Sequence, residues 1–302
     1  PNNSFTFVHP KYNEPTFTVN RFGFRSTREH DVETVAKPPG TLRIATFGGS
    51  TTMGTNNDSE VWPYLTGRKV SHRVPGRKIE VLNEGLMGYT TLDNLIDLAI
   101  RVIDFDSDVY ILYFGVNDYT AAAPLDVYKS DHSHYRRTLY ETIGFSAAEV
   151  VPRWLTKSQV MTAVFHAMGM ANRQSLAECT GTAMFRDQDA FTGFEDDEIN
   201  EMVTRDVIRN LISMIGIIRA HNPDAIVVLS SFYDRRQRGY IKHLNPAFQE
   251  YAAGHDVLFV DVAGQLPYDR RITFDDVHFT PEGAELVSDL FAEAIARALA
   301  TP

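Results

Sequence analysis

Phe47-Gly48-Gly49-Ser50-Thr51-Thr52 follows the run Leu42 to Thr46, and the expected architecture hangs on this junction. An apolar, β-branched run of that length reads as a buried strand, which puts Ser50 just past a strand's carboxyl end. Open α/β sheets keep their chemistry at that edge. Two glycines ahead of the serine permit a sharp turn and a close approach of substrate, since neither carries a Cβ. By itself the signal is weak, because serines after glycines also occur in turns and helix caps.

Two further apolar runs end in polar blocks. Ile79 to Leu82 leads into Asn83-Glu84-Gly85-Leu86-Met87-Gly88, and Val109 to Phe114 leads into Gly115-Val116-Asn117-Asp118. Helical patterns separate these runs. Ser59 reads as the cap of a helix through about Arg73, with Pro63 in its first turn. Leu92, Leu95, Ile96, Ala99 and Ile103 line one helical face, and Ile208, Leu211, Ile212, Ile215 and Ile218 another, which Asn222-Pro223 ends. A strand Ala225 to Leu229, a helix near Pro246 to Ala253 and a fifth strand Val257 to Val262 follow. The last helix repeats Val287, Leu290, Phe291, Ala294, Ile295 and Ala298, with Thr280 as N-cap and Pro281 at its first position. Alternating strands and helices imply a parallel sheet covered on both faces. The expected architecture is α/β: a three-layer α/β/α sandwich around a five-stranded parallel flavodoxin-like sheet, one domain over residues 1–302.

Two stretches depart from that alternation. Residues 1–41 read as an N-terminal arm with turns, in which Phe22 and Phe24 anchor, Gly23 turns the chain, and Arg25 packs rather than meets substrate. Residues 119–200 hold no strand and are too long for a loop, so they read as a mostly helical insertion at the active-site edge, with a surface elaboration or dimer contact as the alternative.

Composition sets outer bounds. The 302 residues, 43% hydrophobic and 23% charged, can bury a sizeable core. A formal charge of −10 opposes binding to phosphate backbones and anionic lipid, so nucleic acid is not an expected partner. The single cysteine, Cys179, cannot form an intrachain disulfide and leaves a cytosolic and an exported home both open. No run approaches the length of a membrane span, and Pro1-Asn2-Asn3-Ser4 reads as neither a signal peptide nor a natural start, which suits a chain whose leader was removed. Oligomeric state is undetermined.

The three polar blocks, with Asp275-Asp276-Val277-His278 ahead of the last helix as a fourth, resemble in order and placement the SGNH (GDSL-type) hydrolase family over roughly residues 42–299, the insertion apart. Gly49 and Thr51 stand where the name-giving motif has Asp and Leu; Gly-Gly-Ser-Thr occurs in a branch of that family. Val19 to Arg25 resembles an Asn-x-x-Gly-Phe-Arg segment that precedes the first strand in some bacterial members. The resemblance implies Ser50 as nucleophile, His278 as its base and Asp275, three residues earlier, as the orienting acid, with Asp276 the competitor. It also implies an oxyanion hole from the backbone N–H groups of Ser50 and Gly88 and the amide of Asn117, with Gly85 the less favoured glycine.

The implied activity is that of a serine esterase working through an acyl-enzyme, without metal or cofactor, on a small-molecule or carbohydrate ester. A carbohydrate O-acetylesterase or short-chain esterase fits best. An O-acyltransferase would use the same residues, and a catalytically idle glycan- or partner-binding protein is the rival from another class. Two clusters read as plain surface: Asp131, His132 and His134 as a solvated loop rather than a metal site, and Arg235, Arg236 and Arg238 as solvated charges rather than a contact to an anionic or sugar substrate. No phosphate-cradling glycine loop and no Gly-x-Ser-x-Gly elbow is present.

Overall fold

The computed structural model describes residues 3–6, 16–122, 129–132 and 192–300. The chain divides into two compact units, one made of Pro1–Tyr119 with Gly193–Pro302 and the other of Thr120–Thr192. The expected helical character of 119–200 and its place at the active edge fall almost wholly outside the described residues.

In the first unit, β1 (Asn3–Thr6) pairs antiparallel with β2 (Thr16–Val19). Then follow β3 (Thr41–Gly48), α1 (Ser50–Met53), α2 (Trp62–Arg73), β4 (Lys78–Asn83), α3 (Thr91–Ile100), β5 (Val109–Tyr113) and α4 (Val116–Ala121), whose last two residues belong to the second unit. After the second unit come α5 (Asp197–His221), β6 (Ile226–Ser230), α6 (Ile241–Gly254), β7 (Leu258–Val260), α7 (Val262–Gln265) and α8 (Pro281–Ala300). The five later strands form one parallel sheet in the order β4-β3-β5-β6-β7, the flavodoxin-like order expected. Helices α2 and α8 pack together, as do α3 with α5 and α5 with α6, giving the helical layers of the sandwich.

Every residue of β3 and β5 is buried, which is why these strands read as continuous rather than alternating runs. Arg43 inside β3 is no exception. It is wholly buried against Glu80, 2.6 Å away, and donates to the carbonyls of Thr34 and Val35, so its charge is paired and its donors are used. Trp62 of α2 meets Phe291 of α8 at 4.9 Å and Tyr113 of β5 at 6.1 Å, fixing one helical layer to the sheet.

The arm docks by its aromatics. Phe22 and Phe24 each lie 5.2 Å from Phe105, and Gly23 between them has φ 87°, a conformation that suits glycine. Bridges Arg25↔Asn83 and Asp31↔Val81 lay the arm along β4, covering a strand that would otherwise be a bare sheet edge. The β1–β2 ladder within it had no signal that separated it from a turn-rich arm.

Three sequence expectations are corrected. Ser59 does not cap α2: it lies in a 3-10 turn that Asn57 and Glu60 close by a reciprocal capping pair, and α2 starts at Trp62 after an extended Val61. In α3 the buried residues are Thr91, Asn94 and Leu98, while Ile96 of the expected stripe and Ile100 beside it are 39% and 74% exposed. Thr91 and Asn94 face inward because each has a buried hydrogen-bond partner there, Asp118 and Gly48, which outweighs the apolar stripe. In α5, Leu211, Ile215 and Ile218 are buried as expected, but Ile212 is half exposed and Val203, Val207 and Met214 complete the inner face.

Candidate active site

Ser50 is the first residue of α1, a single turn that leaves β3 at the carboxyl edge of the sheet. Its Oγ lies 2.7 Å from His278 Nε2. His278 Nδ1 in turn lies 2.7 Å from Asp275 Oδ2. The loop that carries both residues folds back on itself, with a Thr273↔Phe279 bridge and a hydrogen bond from Phe274 N–H to the His278 carbonyl. Asp275 Oδ1 accepts the backbone N–H groups of Val277 and His278, each at 2.9 Å, so one carboxylate shapes the loop and faces the ring. Burial pushes the Asp275 carboxyl up, but the hydrogen bond and charge of His278 and the two backbone donors outweigh it. They hold the group well below the usual carboxylate range.

Asp276, the competing acid, points elsewhere. It is paired with Arg235 at 2.7 Å and Arg236 at 3.0 Å. This corrects the reading of the arginine cluster as solvated charge. Arg235 also donates to the Asp275 carbonyl at 2.9 Å, and Arg238 pairs with buried Asp234 while its guanidinium lies 4.5 Å over Phe194. Only Arg236 remains largely in solvent.

Gly88 and Asn117 meet at the same edge. Asn117 Nδ2 donates to the Tyr89 carbonyl at 2.9 Å, which fixes which end of the amide faces this way and leaves its second hydrogen to a different direction. A Cβ on Gly49 would come within 2.3 Å of that nitrogen, so the amide sits directly against the residue before Ser50. Gly88 has φ 77° in a turn closed by Tyr89 N–H and the Leu86 carbonyl, and that closure does not use the Gly88 N–H. Ser50 opens a helix, so its N–H has no partner within the helix either. Gly85 is closely packed, and its N–H donates to Asn83 Oδ1 at 3.0 Å. A Cβ there would collide with Met53 N at 2.0 Å, so the missing side chain lets β4's end press on the back of α1.

Residues that sequence reasoning missed support this edge. Asp118 is buried and accepts from both the N–H and hydroxyl of Thr91, tying the Asn117 turn to the start of α3. Burial raises its carboxyl to about 7, opposed by the Thr91 hydrogen bonds. Asn94 Oδ1 accepts from Gly48 N–H at 3.0 Å and its amide donates to the Thr90 carbonyl at 2.7 Å. Asn94 carried no sequence signal beyond being polar on a helical position, and Asp118 stood in the Gly115–Asp118 block without a role of its own. His132, expected in a solvated loop, is buried, with its N–H bonded to the Lys129 carbonyl at 2.8 Å; Asp131 beside it is exposed. His134 lies outside the described residues. Among the described residues no three His, Cys, Asp or Glu side chains cluster as a metal site, and no helix is long and apolar enough to cross a membrane.

The line from hydroxyl to imidazole to carboxylate is an arrangement that can do acyl-transfer chemistry. Solved structures share the fold. A lipase/acylhydrolase from Enterococcus faecalis is 21% identical, with 85% of this chain and 97% of that chain covered at a TM-score of 0.50. A lipase from a goat rumen metagenome is 12% identical, with 84% and 97% covered at 0.53. No curated protein matches the sequence. The GDSL-like Lipase/Acylhydrolase family matches over residues 46–286, a span that takes in all four polar blocks. The chain belongs to that family, hydrolases that act on esters.

Proposed function

We propose that this protein is a serine esterase that cleaves carboxylic esters through an acyl-enzyme on Ser50. The reading is carried by the unbroken line from Asp275 through His278 to Ser50, with 2.7 Å at each step. A serine hydroxyl is a poor nucleophile at neutral pH and needs a base held in the right tautomer. In this reading His278 Nε2 takes the Oγ proton as Oγ bonds to the ester carbonyl carbon, and the Asp275 carboxylate stabilises the imidazolium. The N–H groups of Ser50 and Gly88 and the Asn117 amide receive the oxyanion. Collapse breaks the bond to the alcohol oxygen, which leaves with the proton from His278. Water, deprotonated by the same imidazole, then releases the carboxylic acid and restores Ser50.

Short-chain esters or O-acetylated carbohydrates are the substrates we assign within this class, an assignment that rests on family analogy. Turnover of aryl esters of increasing acyl length, beside acetylated sugars, tests it. The mechanism is tested by Ser50→Ala, which should abolish turnover and phosphonate labelling while leaving the melting temperature close to that of the parent. Near-normal activity in Ser50→Ala would sink the reading.

A further inference from the structure

The Asn20-to-Arg25 segment of the arm ends in a cation that no step of the chemistry above uses. Arg25 is only 4% exposed, too enclosed to meet substrate. Its guanidinium instead reaches the far end of the serine's own turn. Nη1 donates to the Met53 carbonyl at 2.6 Å and to the Gly54 carbonyl, and Nη2 to the Asn56 carbonyl at 2.5 Å. Asp58 pairs with it at 3.3 Å. Burial lowers its pKa to about 10, with Asp58 opposing, so it stays charged at neutral pH.

The turn needs such support. One helical turn is unfavourable alone, since it fixes several residues for very few hydrogen bonds. The last carbonyls of a helix have no partner inside it. In α1 the Ser50 carbonyl is met by Gly54 N–H at 2.8 Å and the Thr51 carbonyl by Trp62 Nε1 at 3.1 Å; beyond these, Arg25 meets the Met53 carbonyl and shares the loop after it with Asn56 Nδ2, which donates to the Phe279 carbonyl at 3.1 Å. The backbone of Arg25 also bridges Asn83, the last residue of β4, from which the Gly88 turn departs. One residue thus ties the serine turn to the strand that leads to the Gly88 donor.

We propose that Arg25 is a positioning residue for the nucleophile, holding α1 by its carboxyl-end carbonyls so that Ser50 stays at hydrogen-bond distance from His278. The proposal rests on Ser50 being the nucleophile, as in the reading above. Lysine cannot replace it. A single ammonium has no planar fork with which to span Met53, Gly54, Asn56 and Asp58 at once.

The test compares Arg25→Lys with Arg43→Lys. Arg43 is an equally buried arginine that also donates to backbone carbonyls, at the opposite end of β3 from Ser50. Both variants should melt earlier. Assayed well below either transition, Arg25→Lys should lose about 10–100-fold in kcat and in the rate of phosphonate labelling at Ser50, with KM within a few-fold, because small misplacement of a reacting atom costs rate rather than binding. Arg43→Lys should keep both rates. Millimolar guanidinium should partly restore the labelling rate of Arg25→Ala.

Equal kinetic losses in the two lysine variants, or an unchanged labelling rate in Arg25→Lys, would overturn the proposal. If Arg25→Lys yields no folded protein, Asp58→Ala decides instead: it frees one side of the guanidinium and should lower kcat in the same direction, and unchanged kcat counts against the role. Activity surviving in Ser50→Ala would remove the underlying reading; loss in Ser50→Ala with no effect at Arg25 would remove only this inference.

Discussion

Asn117 shows how much a single side chain must satisfy at once. One of its amide hydrogens goes to the Tyr89 carbonyl, and its nitrogen fills the space that a Gly49 side chain would need. If the other hydrogen meets the oxyanion, the residue acts mainly in the transition state. Asn117→Ala should then lower kcat by about 10²–10³ and leave KM within a few-fold. Asn117→Asp, which has the same shape but offers no donor and faces the Tyr89 carbonyl with a negative charge, should be at least as slow. An active Asn117→Asp beside an unstable Asn117→Ala would return the residue to the scaffold. The pH profile is set by the next pair. Asp275 is held below the ordinary carboxylate range, so it is ionised at neutral and mildly acidic pH. The acid limb of kcat/KM against pH should therefore report one ionisation, the imidazole losing its proton, with unit slope and no response to chelators. A limb of slope two would mean that a second group must also lose a proton.

Among the elements, α3 and α4 are joined through a carboxyl whose protonation differs between folded and unfolded chain. Asp118 is raised to about 7 when folded, whereas an unfolded aspartate titrates near 3.9. Between those values the folded state keeps a proton that the unfolded state has lost, so this group's contribution falls as pH rises from about 4 to about 7 and is level above. Asp118→Asn removes that slope while retaining an acceptor for Thr91. The difference in unfolding free energy between Asp118→Asn and its parent should shift in favour of the variant from pH 5 to pH 8, by an amount on the order of a few kcal/mol. Urea unfolding at the two pH values checks it, and a pH-independent difference would contradict the assignment.

At the scale of the whole molecule, docking selects which side of a helix is inside. Leu98 of α3 is fully buried and Ile100 two residues on is mostly in solvent. Leu98→Ala should cost about 2–5 kcal/mol and Ile100→Ala no more than about 0.5 kcal/mol, measured by denaturant unfolding. Apolar periodicity alone would have assigned neither value, because it placed the inner face on Leu92, Leu95, Ile96, Ala99 and Ile103. The alternation of strands and helices, and the edge at which the polar blocks lie, were legible in the residues before any fold was seen. Continuous apolar runs mark strands buried on both faces, and a parallel sheet brings every strand's carboxyl end to one side, so Ser50, Gly88, Asn117 and the Asp275–His278 loop were expected at one edge of the sheet; their closeness along that edge was decided by the strand order and by the fold of the long loop after β7. The resemblance already favoured Asp275 over Asp276 and Gly88 over Gly85; what only the folded chain shows is that Asp276 is taken by Arg235 and Arg236 and that Gly85 is pressed onto Met53. Folding alone also turned Arg25 from a packing residue into the support of the serine's turn. The difference is one of range: strand and helix periods are written in residues a few positions apart, whereas a buried charge or a close backbone approach is settled by partners tens to hundreds of positions away, and no local pattern carries their identity.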